Sequence, residues 1–133
     1  MSGELILLDT SVLVDAFTQE RRSAAAVRAA IERGERIVVP AVVLYEWLRG
    51  PRSPRELETV EALFPAEKAL PFGPAEAALA ARLYSAVPKP RGRSIDLAIA
   101  AHAISQDALL WTLDTKDFED LPGVRAIVPP AVE

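Results

Sequence analysis

Short apolar runs and longer amphipathic stretches alternate along the chain. The continuous apolar run Leu5–Leu8 is typical of a strand that is buried on both faces. Four further candidate strands lie at residues 37–39, 68–71, 108–112 and 124–128. Pro71 ends the weakest of them, and Arg125 interrupts the last, which we therefore expect at an edge of the sheet. The pattern predicts a central sheet of about five strands.

Helical spacing of apolar residues fills the segments between these runs. The predicted helices cover residues 22–33, 42–48, 54–64, 74–86 and 94–105. Gly34 and Gly50 are plausible stops after the first two of them. Strands that alternate with helices favour right-handed crossovers and parallel pairing. The predicted fold class is therefore α/β, a three-layer sandwich with a mostly parallel sheet, and we expect residues 1–133 to form a single domain.

The amino-acid composition excludes several kinds of functional site. Of the 133 residues, 50% are hydrophobic and none is cysteine, which excludes disulfides, thiolate metal sites and a cysteine nucleophile. No apolar run approaches the roughly 18 residues that a membrane span needs, and the N-terminus does not resemble a signal peptide, so we expect a cytoplasmic protein. The net charge of −4 does not indicate nucleic-acid binding. It does allow acidic groups to gather at a cation that recruits a phosphate.

Four acidic residues occupy positions where a merely solvated charge would be unusual. Asp9 directly follows the first apolar run, and Asp114 follows the fourth, so both fall at the carboxyl edge of the predicted sheet, where α/β folds bind ligands. Glu46 lies about 9 Å along the helix after the second strand, among apolar neighbours. Asp96 begins a helix whose following residues are typical of a core.

Each acid also has a local structural interpretation. Asp9 could cap the next helix, Asp96 could complement a helix dipole, Asp114 could belong to a turn, and Glu46 could pair with Arg49. Taken together, however, four clustered acids would repel one another and raise their pKa values unless a cation intervened. Oxygen ligands without His or Cys favour Mg²⁺, or Mn²⁺, over zinc.

The segments around these acids resemble four motifs of a known family. The segments are Leu7 to Asp15, Leu44 to Gly50, Ile95 to Ala103 and Leu110 to Phe118. They are similar, in this order, to the motifs of the PIN-domain family, and more narrowly to its VapC-type toxins of bacterial and archaeal toxin–antitoxin pairs. The resemblance extends over nearly the whole chain.

This resemblance implies an Mg²⁺-dependent endoribonuclease, the toxin of a type II pair, with a homodimeric state and an antitoxin that masks the active site. It implies metal-binding catalytic roles for Asp9, Glu46, Asp96 and Asp114, and supporting roles for Thr10, Ser11, Thr112 and Asp117. Of these acids, Asp117 competes with Asp114 for the fourth place. Asp114 is preferred because it lies nearer the strand end.

A basic run precedes the third motif. Lys89, Arg91 and Arg93 could hold the RNA backbone, or could equally form a solvated loop. The sole histidine, His102, lies six residues after Asp96 and so on another side of the helix, which favours a packing or surface role.

Two tryptophans, Trp47 and Trp111, lie in apolar segments. Packing in the core or at a dimer interface is therefore favoured over base stacking.

Three alternatives remain open. An Asp-dependent phosphoryl-transfer α/β protein would usually need a second Asp two residues after Asp9, where Ser11 stands. A response-regulator-like module would need paired acids after strand one and a Lys after the last strand, and neither is evident. The third alternative is a catalytically inactive PIN-like interaction domain, which the intact acidic set disfavours.

Overall fold

The computed structural model describes residues 4–18 and 22–132, which contain one parallel sheet. Its strands are β1 (Leu5–Leu8), β2 (Arg36–Val38), β3 (Leu109–Trp111) and β4 (Arg125–Ile127). They pair in the order β2-β1-β3-β4, every pair parallel, so that β4 lies at an edge as expected from Arg125. The predicted α/β class is confirmed. The strand number is corrected from about five to four within the described residues.

The strand predicted at residues 68–71 does not form. Only one parallel bridge joins Leu70 to Pro40, through the Leu70 N–H to the Val39 carbonyl at 3.0 Å and the Ala41 N–H to the Leu70 carbonyl at 2.8 Å. A 3₁₀ turn, Ala66–Lys68, takes up the residues before the bridge. Pro71 follows it without an N–H to donate, so the ladder cannot continue.

All five predicted helices form, with ends within two residues of those expected, and one more helix precedes them. The helices are α1 (Thr10–Phe17), α2 (Ala24–Glu32), α3 (Ala41–Arg49), α4 (Pro54–Leu63), α5 (Pro74–Ala86) and α6 (Ser94–Ser105). Helix α1 begins directly after β1, with the Asp9 carboxylate as its N-cap. The capping role considered for Asp9 is therefore present, and it does not exclude a second role in chemistry.

The core surrounds β1 on both faces. Ile6, Leu7 and Leu8 are each at most 1% exposed, and successive strand residues point to opposite faces, so helices cover the sheet on both sides. This is the expected three-layer arrangement. Helix α6 is buried almost all round from Leu97 to Ala103, as its uniformly apolar sequence requires.

The register of the two central strands positions the site. Leu8 is paired with Trp111, so the chain leaves β1 and β3 side by side at the same edge of the sheet. None of the helices in the described ranges is both long and apolar enough to cross a membrane.

Candidate active site

Asp9 lies where β1 ends, and three donors fix its side chain. The backbone N–H of Thr10 donates to Oδ1 at 2.8 Å, while the hydroxyls of Ser11 and Thr112 donate to Oδ2 at 3.0 and 2.7 Å. The Asp9 N–H itself donates to the Trp111 carbonyl at 3.0 Å, which extends the β1–β3 ladder to this residue. Because each carboxylate oxygen has two acceptor positions, Oδ2 is fully used and Oδ1 retains one.

The ionised form of Asp9 is nevertheless unfavourable. The side chain is only 6% exposed, and this burial raises its pKa above the usual value. The hydrogen bonds from Thr112, Ser11 and Thr10 act in the opposite direction, and the nearby charge of Asp114 raises the pKa further. Among the described residues, the charged group that acts on the Asp9 pKa is another acid, Asp114, and no basic side chain acts on it.

Asp96 lies in the first turn of α6, half-buried against the same site. Across the part of the chain that the structure describes, no donor hydrogen bonds to its carboxylate. Burial, and after it the charges of Asp9, Asp117 and Glu46, raise the Asp96 pKa to about 6, while Arg93 lowers it. The structure thus brings these acids close enough for each to disfavour the ionisation of Asp96.

Glu46 reaches the site from the middle of α3. The Thr10 hydroxyl donates a short hydrogen bond to its Oε1, and Arg49 Nη2 lies 3.2 Å from its Oε2. The pairing with Arg49 considered from the sequence is therefore present. The bond from Thr10 also ties Glu46 to the turn that holds Asp9, since the N–H of the same threonine binds the Asp9 carboxylate.

Asp114 and Asp117 both lie on the exposed segment after β3. The Asp114 N–H donates to the Thr112 hydroxyl at 3.0 Å, and the Asp117 N–H donates to the Asp114 carbonyl at 2.9 Å. Their charges act on different partners: Asp114 on Asp9, and Asp117 on Asp96. Both acids therefore border the site, and the preference for Asp114 stays a prediction.

The predicted supporting hydroxyls form one connected chain. Besides holding Asp9, the Ser11 hydroxyl accepts from the Leu113 N–H at 3.0 Å and lies 3.4 Å from the Thr112 hydroxyl. Thr112 is fully buried. These contacts join the turn after β1 to the turn after β3 and fix the orientation of the Asp9 carboxylate.

The basic run divides into two kinds of residue. Lys89 and Arg91 are exposed on the loop before α6. Arg93 is less exposed, and its guanidinium binds the Asp120 carboxylate and the Asp117 carbonyl. Asp120 has no local signal in the sequence, because it lies 27 residues from its partner Arg93.

The histidine and tryptophan side chains are buried. His102 is 1% exposed and meets the Phe72 ring edge-on, with 5.9 Å between centroids. Neither of its ring nitrogens has a hydrogen-bond partner among the described residues, and burial lowers its pKa. Trp47 and Trp111 are at most 2% exposed, so all three side chains pack in the interior.

The carboxylate oxygens of the acids at this site are ligands that suit a hard cation such as Mg²⁺. Within residues 4–18 and 22–132, no group of three or more acidic or histidine side chains stands ready to enclose a metal ion. Mg²⁺, however, keeps several waters and needs only one or two direct carboxylates. Asp9, with a spare position on Oδ1, and Asp96, with no donor on either oxygen, meet that requirement.

The sequence matches a known family. The family model for the PIN domain matches residues 6–124. No curated protein matches the sequence.

Solved structures share the fold over nearly their whole length. A chain of DNA-bound VapBC from Salmonella typhimurium superimposes with a TM-score of 0.76 at 20% identity, covering 96% of this chain and 100% of that one. VapBC2 from Rickettsia felis, bound to a promoter DNA fragment, gives 0.72 at 19%, covering 93% and 98%. A toxin–antitoxin complex from Klebsiella pneumoniae gives 0.70 at 23%, covering 96% and 99%.

Proposed function

The chain belongs to the PIN-domain family, and from this premise we propose that it is an Mg²⁺-dependent endoribonuclease, the toxin of a type II toxin–antitoxin pair. Asp96 carries the proposal. A half-buried carboxylate that has no hydrogen-bond donor and faces three other acids is costly to the fold. Such groups are characteristic of functional sites, where a ligand supplies the missing countercharge.

In this proposal Asp9 and Asp96 would hold the cation. When bound there, Mg²⁺ or Mn²⁺ supplies an acidified water and neutralises charge that develops on the leaving oxygen. The contribution of the chain is orientation, because Ser11 and Thr112 fix Asp9 with its Oδ1 still able to accept. Ionised Asp96 presents both oxygens without having to break a hydrogen bond.

Glu46 and Asp114 would complete the proposed site, partly through waters of the cation. Thr10 aligns Glu46 with Asp9, because its backbone and its hydroxyl bind the two carboxylates separately. Arg49 holds the second oxygen of Glu46 and limits the directions in which that carboxylate can turn. Asp117 remains the competing candidate for the place of Asp114.

The proposed substrate is RNA, and its approach needs positive charge that the chain as a whole lacks. With a net charge of −4, the protein repels phosphates except near a bound cation or a local basic group. Lys89 and Arg91 are exposed on the loop that leads into α6, next to Asp96, and we assign them to the RNA backbone.

Two protein partners belong to the proposal. VapBC chains and a toxin–antitoxin complex share this fold, which supports a cognate antitoxin that covers the acidic site. A homodimer is supported by α3, where Tyr45 and Leu48 are 55% and 57% exposed. Large apolar side chains that are exposed together are typical of interfaces. Light scattering of the protein and its Leu48→Glu variant tests the dimer: a monomeric wild type contradicts it.

The central test is cleavage of a labelled single-stranded RNA in Mg²⁺ buffer. We expect cleavage by the wild type, none in excess EDTA, and none by Asp9→Asn or Asp96→Asn despite a retained fold. Glu58→Gln changes an exposed acid of α4 and is the matched control that should keep full activity. A single-stranded DNA of the same sequence, assayed in parallel, shows whether the substrate class is RNA.

Two results would contradict the proposal. Full cleavage by both Asn variants would remove the assigned residues from the chemistry. No cleavage of any RNA by the wild type, with divalent cation binding also absent, would favour the inactive interaction domain.

A further inference from the structure

Arg93 links two segments that carry acids of the site. It immediately precedes α6, three residues before Asp96, and its carbonyl accepts the Leu97 N–H at 2.9 Å. Its guanidinium crosses to the segment after β3, where Nη1 and Nη2 bind the two oxygens of Asp120, each at 2.9 Å. Nη2 also donates to the Asp117 carbonyl at 2.8 Å. The result is a two-pronged ion pair with a third bond to the backbone.

The segment that receives these bonds has little regular structure of its own. It consists of a four-residue 3₁₀ turn, Thr115–Phe118, and the residues up to β4. Phe118 and Leu121 anchor it in the core, with 2–3% exposure. The acids on it are exposed, and the charge of Asp117 is unfavourable for an ionised Asp96 in α6.

We propose that Arg93 and Asp120 form a clamp that holds the 114–117 segment against α6. The clamp thereby positions the acid of this segment that completes the site, Asp114 or Asp117, for a cation held at Asp96. This inference rests on the proposed metal-dependent function. It gives Arg93 a positioning role in place of the RNA contact expected from the sequence. The bidentate geometry is one that Lys cannot reproduce, because an ammonium lacks the planar fork.

The contacts of Arg93 disfavour a role in RNA binding. Its side chain is 19% exposed, and three of its five donors are already directed at Asp120 and Asp117. Arg91, two residues earlier, is exposed in the same basic run. The two arginines therefore provide a matched pair, one inside the clamp and one outside it.

The test measures cation binding directly, by titrating Mn²⁺ into the full chain with calorimetry and with electron paramagnetic resonance. Loss of a residue that orients metal ligands typically weakens metal affinity by about 10- to 100-fold. We expect a loss of that size for Arg93→Gln and for Asp120→Asn, a partial loss for Arg93→Lys, and no change for Arg91→Gln. The double variant Arg93→Gln/Asp120→Asn should be no weaker than the single variants, because both remove the same clamp.

Cleavage kinetics give a second measurement. The clamp predicts that excess Mg²⁺ restores kcat in Arg93→Gln while KM for RNA stays unchanged. Unchanged Mn²⁺ affinity in Arg93→Gln and Asp120→Asn would overturn the proposal, as would a raised KM with a weaker salt dependence for Arg93→Gln alone.

Two controls keep these outcomes interpretable. If Arg93→Gln does not fold, Asp120→Asn and Arg93→Lys supply the same test. Failure of the RNase proposal is distinguishable, because Mn²⁺ titration reports on the clamp even if no RNA is cut.

Discussion

Two aspartates of helix α1 are equally buried and behave in opposite ways. Asp9 at its start is 6% exposed, and Asp15 near its end is 5% exposed. Each carboxylate accepts three hydrogen bonds. For Asp15 these come from the Ser23 N–H and hydroxyl at 2.6 and 2.7 Å and from Arg22 Nε at 3.2 Å.

The difference lies in how far hydrogen bonds offset burial. Burial alone would raise the pKa of Asp15, but the two bonds from Ser23, and after them the bond and charge of Arg22, outweigh it and lower the pKa. At Asp9 burial is the largest influence, and the bonds from Thr112, Ser11 and Thr10 do not offset it; the charge of Asp114 adds a smaller rise. Asp15 is thus a completed structural contact between α1 and the start of α2, whereas the ionised form of Asp9 remains unfavourable. A low exposed fraction does not by itself identify a functional acid; a buried carboxylate with a raised pKa is the better indicator.

The largest expected effect separates these two residues by activity. Asp9→Asn should reduce RNA cleavage at least 100-fold, about 3 kcal/mol in the transition state, because the amide cannot replace an anionic ligand. Its free energy of unfolding should change by no more than about 1 kcal/mol, since the side chain keeps its shape and the hydroxyls can rotate. If Asp9→Asn cleaved RNA at a rate within a few-fold of the wild type, activity would not distinguish Asp9 from Asp15.

Asp15→Asn should reverse that outcome. We expect a loss of about 2–3 kcal/mol in the free energy of unfolding, measured in urea, because the buried bonds to Ser23 lose their charged acceptor. Activity per folded molecule should persist. The contribution of Asp15 is present above its unfolded pKa near 3.8 and is lost as pH falls through its lower folded pKa, so the wild type should lose this advantage only below about pH 4. Asp107→Asn, an exposed acid paired with Arg125, is the control and should change stability little.

Asp96→Asn should stabilise the metal-free protein. Ionisation of Asp96 disfavours the fold, since its pKa rises from 3.8 to about 6 on folding. The acid contributes most favourably below pH 3.8, and this contribution is lost as pH rises through 6, so the gain from Asn should appear at pH 7 and vanish near pH 4. After allowance for partial solvent screening we expect about 1–2 kcal/mol at pH 7. The measurement is denaturant unfolding at both pH values in EDTA. An equal gain in stability from Asn at pH 7 and pH 4 would contradict the raised pKa of Asp96.

The smallest effect concerns the hydroxyl that orients Asp9. Thr112→Val keeps the buried shape but removes a donor to Asp9 and an acceptor for the Asp114 N–H. A cost of about 1–2 kcal/mol in stability and roughly tenfold in cleavage is expected. Thr59→Val, on the exposed face of α4, is the comparison and should leave cleavage unchanged. An unaffected cleavage rate in Thr112→Val would show that the Ser11 hydroxyl and the Thr10 N–H orient the carboxylate without Thr112.

Local pattern was sufficient to predict most of the fold. The all-apolar run Leu5–Leu8 marks a central strand, and Pro74 with Ala86 bounds a helix at the observed ends. The strand predicted at residues 68–71 was wrong because the apolar pair Ala69-Leu70 is typical of a strand, but Pro71 has no N–H with which to continue the ladder beyond Leu70. Helix α1 was not separately predicted, since its eight residues follow the strand without a break.

The candidate site was predictable only in part. Asp9 and Asp114 follow strands, so the parallel sheet brings them to one edge, and the family motifs add Glu46 and Asp96. The sequence could not indicate contacts between residues that are far apart along the chain. Asp120, the partner of Arg93, lies 27 residues away, and their contact depends on how the loop after β3 folds. The charge state of Asp96 likewise depends on burial that only packing determines.

His102 has a practical consequence for the design of these measurements. A fully enclosed imidazole without a hydrogen-bond partner resists protonation, so its contribution to stability is lost as acidification proceeds below its unfolded pKa of 6.5. Asp96 acts in the reverse sense over an overlapping interval. Acidification below about pH 6.5 therefore changes the charge of a buried core residue and of a proposed cation ligand together. Cleavage rates of the variants are best compared at pH 7 or above, where His102 is neutral and Asp96 is ionised in the folded protein.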